Sequence, residues 1–282
     1  METNRRVLIL SPEAGFGNRV RAIAAGIILA KKTKREFEHY WIGSNNSNSD
    51  YAHVADSQRL GWTDYFEDNL KLCERENVDL ILTEWLPGEP WYHAQNRACL
   101  KYPDAPKIKA TRNLDLLLSL YSDVDVVLLE TSLDVCTSLS ENFEQEMMIV
   151  YQQYFRPLPR FKRMLDFVPE MPIGVSIRRG EFLLYFPEAR QSLEEIVKWL
   201  GEMKEDATIA LFGDEKPFLA LIKEKLDIST YNLPILENWE SGYLQFLILA
   251  FKCKRIYGTP MSSFAEQAGL FSGRNHYKKV LQ

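Results

Sequence analysis

Cysteine and histidine are scarce in these 282 residues, with four of each. Cys73, Cys99, Cys136 and Cys253 form no C-x-x-C pair and have no histidine at ligand spacing, which argues against a structural zinc site and a disulfide framework. Reduced, structural thiols are expected. Long uncharged apolar runs are also missing, so no transmembrane segment is expected. Residues 1–6 lead straight into a strand-like run without a signal-peptide core, and a cytoplasmic chain is the expectation. Neither sign of charge dominates: 34 Lys+Arg against 39 Asp+Glu give a formal net charge of −5. Nonspecific nucleic-acid binding, which needs a basic footprint, is therefore disfavoured, whereas one small anionic ligand is not. Internal repeats and low-complexity tracts are lacking as well.

What is present describes a globular chain: 46% hydrophobic and 26% charged residues, long enough for two domains with a core each. Residues 7–10 read as a buried strand, followed by a glycine turn. Val20, Ile23, Ala24, Ile27, Ile28 and Ala30 then recur at helical spacing. Lys31, Lys32, Lys34 and Arg35 complement the dipole at that helix's end, which makes them a solvated terminus rather than a binding patch. Further strands are expected at 37–42, 79–83 and 124–129, and a helix from a Ser138–Glu141 capping box to about residue 155. Residues 43–49 and 84–111 interrupt the pattern. The second stretch holds Trp85, Trp91 and Tyr92, whose faces suit either a sugar ring or the loop's own core.

Arg156-Pro157-Leu158-Pro159 reads as a break, and the domain boundary is placed just beyond it, giving domains 1–160 and 161–282. After the break the pattern alternates. Strands at 173–177, 207–212 and 255–258 interleave with helices at 191–203, opened by a Ser192–Glu195 capping box, at 215–226, at 240–251 and from 264. Repeated strand-helix units predict a parallel, doubly wound sheet with ligands at the carboxyl ends of its strands.

Three turns lie where anions bind, after a strand and before a helix: Gly15-Phe16-Gly17-Asn18, Arg178-Arg179-Gly180-Glu181 and Thr259-Pro260-Met261-Ser262-Ser263-Phe264. The first has two glycines and lacks both the full dinucleotide fingerprint and the phosphate-loop lysine, which argues against an NAD enzyme and a P-loop kinase. Two adjacent guanidinium groups after a buried strand need an anion or a carboxylate. Arg178 and Arg179 therefore fit a diphosphate fork and an interdomain salt bridge equally well. Ser263 with Glu266 forms a capping box, leaving Ser262 the freer of the two serines for a ligand. Asp123-Val124-Asp125 has the letters of a metal-binding D-x-D but opens an apolar strand, so it is read as structural; neither metal nor cofactor is expected.

Those three turns, with Arg19-Val20-Arg21-Ala22 continuing the first and Val175-Ser176-Ile177 leading into the second, resemble the fucosyltransferase superfamily of GT-B glycosyltransferases. This superfamily includes the α1,2- and α1,6-fucosyltransferases and the protein O-fucosyltransferases. The resemblance implies a GT-B-like α/β fold of two Rossmann-like domains facing a cleft, and a nucleotide-diphosphate sugar donor with a glycan acceptor. It gives Arg178 the diphosphate, and makes Gly15, Phe16, Gly17, Asn18, Arg179, Asp214, Gln245, Ser262, Ser263 and Phe264 donor-binding. Ser11-Pro12-Glu13-Ala14 resembles a loop whose glutamate is the proposed base, so Glu13 is the candidate catalytic base beside Arg178. The family motif H-x-R-R-x-D carries Ser176 for histidine and Glu181 for aspartate here, and Gln245 stands where an acidic residue often reads guanine. GDP is thus the favoured nucleotide, with UDP and a non-catalytic nucleotide-sugar-binding module as the alternatives.

Overall fold

Short runs of branched apolar residues alternate with helical periodicities along the chain, and a computed structural model shows two parallel sheets built from them. It describes residues 7–12, 15–39, 62–70, 80–83, 107–109, 126–131, 142–179, 183, 190–203, 209–226, 238–260, 262–273 and 277–279. These fall into two compact units, one ending at Arg156 and one beginning at Pro157.

The first unit runs β1 (Val7–Pro12), α1 (Phe16–Lys32), β2 (Glu36–His39), α2 (Trp62–Tyr65), β3 (Leu80–Thr83), β4 (Lys107–Lys109), β5 (Val126–Thr131) and α3 (Phe143–Tyr154). Its strands lie in the order β2-β1-β5-β3-β4, every pair parallel, with Leu8 opposite both Phe37 and Val127. A parallel sheet has to be covered by helices. α1 is buried without a break from Ala22 to Ala30 and packs on β1, β2 and α3. It ends in a Schellman motif: the Arg35 N–H donates to the Ala30 carbonyl at 2.8 Å, the Lys34 N–H to that of Lys31 at 3.3 Å, and Lys34 sits at φ 55°. Its basic end is a helix terminus, with Lys32 Nζ 3.1 Å from Glu146 on α3.

Beneath lies an aromatic core that the sequence did not reveal. Trp62 stands 4.5 Å from Phe66 and 5.0 Å from Phe155 between ring centroids, and Phe16 stands 5.0 Å from Tyr65. Trp62 keeps its buried N–H satisfied by donating to the Glu67 carbonyl at 3.1 Å. Four residues of α2 are too few to show a helical period in the sequence.

The second unit runs α4 (Pro159–Asp166), β6 (Met171–Ile177), α5 (Leu193–Glu202), β7 (Ile209–Gly213), α6 (Lys216–Leu226), α7 (Asn238–Lys252), β8 (Cys253–Gly258), α8 (Ser263–Phe271) and β9 (Tyr277–Lys279). Its sheet order is β7-β6-β8-β9, again all parallel. On one face Ile173, Val175 and Ile177 bury against Ile196 and Leu200 of α5 and Phe218 and Ile222 of α6. Each such side chain contributes roughly 1.5–3 kcal/mol on burial. The other face is packed so closely by α7 and the start of β8 that a methyl group on Gly174 would lie 2.6 Å from Cys253 Sγ and 2.7 Å from a Leu249 methyl. That burial pushes the Cys253 thiol up to about 12, leaving it a small apolar filler. The predicted parallel α/β sheet is present.

Several elements differ from expectation. Arg156–Pro159 does not simply break the chain, because Pro159 is the first residue of α4, where a missing N–H costs nothing and φ is already helical. α3 starts at Phe143 with Asn142 as its cap, later than the Ser138–Glu141 box, and that box lies outside the described residues. The strands β4 and β9, of three residues each, are too short to show an alternating pattern. The Ser192–Glu195 box forms in full, and the Ser192 N–H, donating to Glu195 Oε2 at 2.7 Å, holds that carboxyl below its ordinary range.

Candidate functional site

Doubly wound sheets bind ligands where their strand order reverses. From β6 the chain steps to β7 on one side and then crosses to β8 on the other, so the carboxyl ends of β6 and β8 form the topological switch point. Arg178 follows β6 directly and Thr259 follows β8 directly.

Backbone and side-chain hydrogen bonds stitch this end of the sheet together. The Thr259 N–H donates to the Ser176 carbonyl at 3.1 Å, and the Arg178 N–H donates to Thr259 Oγ1 at 3.0 Å. From the β7 side, the Arg179 N–H donates to Asp214 Oδ1 at 2.8 Å. Gly213 makes that approach possible: a methyl group there would lie 2.5 Å from the Ile177 carbonyl oxygen.

The two arginines are used differently. Arg179 is committed within the protein, donating from Nε to Glu215 Oε2 at 3.0 Å and from Nη1 to the Gln191 carbonyl at 2.8 Å. Its guanidinium lies 3.8 Å over the Phe218 ring. Of the two readings left open for the pair, the salt bridge describes Arg179, although it forms within the second unit. Arg178 is half-buried at the strand end. Gly180 and Glu181 lie outside the described residues.

α8 points its N-terminus from the same end of the sheet. Its cap is Ser262 rather than Ser263, and no side chain caps it, so the Ser263–Glu266 box does not form. Ser262 is 1% exposed, and its Oγ meets no hydrogen-bond partner among the described residues. A buried unsatisfied hydroxyl costs on the order of 1–3 kcal/mol, which an arriving acceptor would relieve. Ser263 is buried in the first turn, and Phe264 packs edge-on against Phe246 at 5.4 Å. Gln245 turns back along α7, its Nε2 3.5 Å from Ser241 Oγ.

The other candidates sit in the first unit. Gly15 is the cap of α1 at φ −68°, and a methyl group on it would meet nothing within 4 Å. Neither backbone nor packing therefore requires glycine there. Phe16 closes the aromatic core, Gly17 is buried, and Asn18 Oδ1 accepts from Arg21 at 3.0 Å. Glu13 lies outside the described residues, as do Asp123 to Asp125 and the aromatics Trp85, Trp91 and Tyr92. Among the described residues no three or more His, Cys, Asp or Glu come together as a metal site, and no helix is long and apolar enough to cross a membrane. Thr259 opens the third of the turns that the sequence marks, but its bond to the Arg178 N–H, across 81 positions, has no local signal.

No family model matches the chain, and no curated protein matches its sequence. Its fold is matched among solved structures. The NodZ α-1,6-fucosyltransferase soaked with GDP-fucose is similar at a TM-score of 0.61 and 17% identity, over 95% of this chain and 92% of that one. Fucosyltransferase NodZ from Bradyrhizobium, in selenomethionine form, gives 0.60 and 18% over 94% and 92%. POFUT1 in complex with GDP-fucose gives 0.62 and 11% over 99% of each chain. The chain thus has the α/β fold of these fucosyltransferases, the superfamily whose three turns its sequence resembles.

Proposed function

We propose that this chain is an inverting, metal-independent glycosyltransferase that moves fucose or a related sugar from a GDP-linked donor to a glycan hydroxyl. In this reading its two α/β domains, 1–160 on the acceptor side and 161–282 on the donor side, face a cleft in the GT-B manner. The observation that supports it most is the β6–β8 switch point, where Arg178 follows one strand and the uncapped serine turn follows the other. A diphosphate there meets a guanidinium fork, a buried hydroxyl and the positive end of a helix. NodZ and POFUT1 were solved with GDP-fucose, and the shared fold carries that donor class to this chain as a proposal.

The acceptor oxygen attacks the anomeric carbon from the face opposite the leaving group. The bond to the diphosphate oxygen breaks with its electron pair, and Glu13 takes the acceptor's proton. Arg178 and the start of α8 stabilise the charge gathering on the diphosphate, the task a metal performs in other transferases. A second reading, binding without transfer, draws on Ser176 standing where the family motif has histidine.

Calorimetric titration with GDP and UDP, followed by donor turnover in excess EDTA, tests the proposal. GDP is expected to bind tighter and turnover, even slow hydrolysis, to persist. UDP binding tighter transfers the donor to the other nucleotide class, and tight GDP binding without turnover favours the non-catalytic reading. In Arg178→Ala, binding should weaken by about tenfold or more and turnover should fall further, since a charge-assisted pair is worth roughly 1.5–3 kcal/mol and more in the transition state. A destabilised but fully active variant would make Arg178 structural.

A further inference from the structure

We infer that Thr259 and Asp214 are a pair of positioning residues that act through Arg178, an inference that rests on the donor site proposed above. β6 is flanked by β7 on one side and β8 on the other, and each neighbour sends one side chain to the two residues that follow it. Thr259 accepts from the Arg178 N–H at 3.0 Å, and Asp214 accepts from the Arg179 N–H at 2.8 Å. The ends of strands ordinarily leave such donors to water; here both are taken by protein, from opposite sides.

The consequence is geometric. Arginine has a long side chain, and its head is placed only as well as the backbone it grows from. Thr259 is itself fixed, because its own N–H donates to the Ser176 carbonyl at 3.1 Å and it is 4% exposed. Asp214 stands behind Gly213, whose missing side chain lets β7 approach the Ile177 carbonyl. Arg179 then locks the same turn through Glu215 and the Gln191 carbonyl. Asp214, which the family resemblance sets near the nucleotide, thereby gains a second duty in holding the turn.

The test is a double-mutant cycle in the full chain, with GDP-fucose turnover, GDP titration and melting temperature measured on each protein. Thr259→Val keeps the shape and removes the acceptor. It should lower kcat/KM by about 10–100-fold, the scale of a misplacement near 1 Å, with a smaller loss of GDP affinity. Thr259→Ser, which keeps the acceptor, should recover most of that loss. In an Arg178→Ala background, Thr259→Val should cost little more, since the two losses share one cause. Full multiplication of the two losses, or no recovery by serine, overturns the inference. Should Thr259→Val fail to fold, Asp214→Ala and its rescue by Asp214→Asn carry the same cycle, because Asp214 is exposed. A wild-type protein that binds no GDP overturns the functional reading and this inference together; one that binds and turns over GDP-fucose while the losses multiply overturns the inference alone.

Discussion

Acid should destabilise the first unit through one histidine. His39 ends β2, is fully buried, and stands 5.2 Å from Trp62 between ring centroids. Burial lowers its pKa from 6.5 to about 4, opposed in part by a hydrogen bond to the backbone of Leu70. Above pH 6.5 the imidazole is neutral both folded and unfolded, and it contributes no pH dependence. Between 6.5 and about 4 the unfolded chain takes up a proton that the folded chain refuses, so stability falls as pH falls; below about 4 the loss levels off. A gap of that width is worth ~3 kcal/mol, of which about two thirds is lost by pH 5. The aromatic core that His39 joins also receives Phe16, the first residue of α1, so acid should loosen the glycine turn along with the core. Urea unfolding of the wild type and of His39→Asn, measured from pH 7.5 to 5 by tryptophan fluorescence, isolates the effect from that of the carboxylates. Asparagine should lower stability at neutral pH but flatten the decline by ~2 kcal/mol across that range. Parallel pH profiles for the two proteins would refute the argument.

Three further substitutions test separate parts of the reasoning. Gly213→Ala places a methyl group 2.5 Å from the Ile177 carbonyl, so it should cost about 1–3 kcal/mol in chemical denaturation and lower donor turnover by about 10²-fold; a wild-type melt with wild-type turnover would mean that β7 can shift without disturbing Arg178. Gly15→Ser should leave the melting temperature unchanged or slightly raised, since serine at an N-cap is at least as good as glycine and the space is open, while donor or acceptor KM rises if a ligand approaches that turn. Lys34→Gly should stabilise by about 1 kcal/mol by relieving a left-handed lysine at the end of α1, and unchanged stability would show that the Schellman turn tolerates it at no cost.

How much of this was legible depended on the distance over which a cause acts. The strands around Arg178 could be read because a parallel sheet buries both faces and leaves apolar runs such as Ile173 to Ile177. Helices such as α5 carried their own start signal in Ser192 and Glu195. α4 could not be read, because proline is both a helix breaker and a favoured first residue, and Pro159 took the second role. The bonds that hold the turn after β6 join residues 81 and 35 positions apart, and no local pattern marks such pairs. The serine pair was legible as a cap but not in its register. Had Ser263 been the cap, its hydroxyl would have satisfied a helix N–H. With Ser262 in that place the helix forgoes a side-chain bond worth typically about 1 kcal/mol and buries a hydroxyl with no partner among the described residues. Local rules broken at no visible gain gather where a fold serves a ligand. This break falls at the strand end where the chain also places Arg178, and it supports the diphosphate site proposed there.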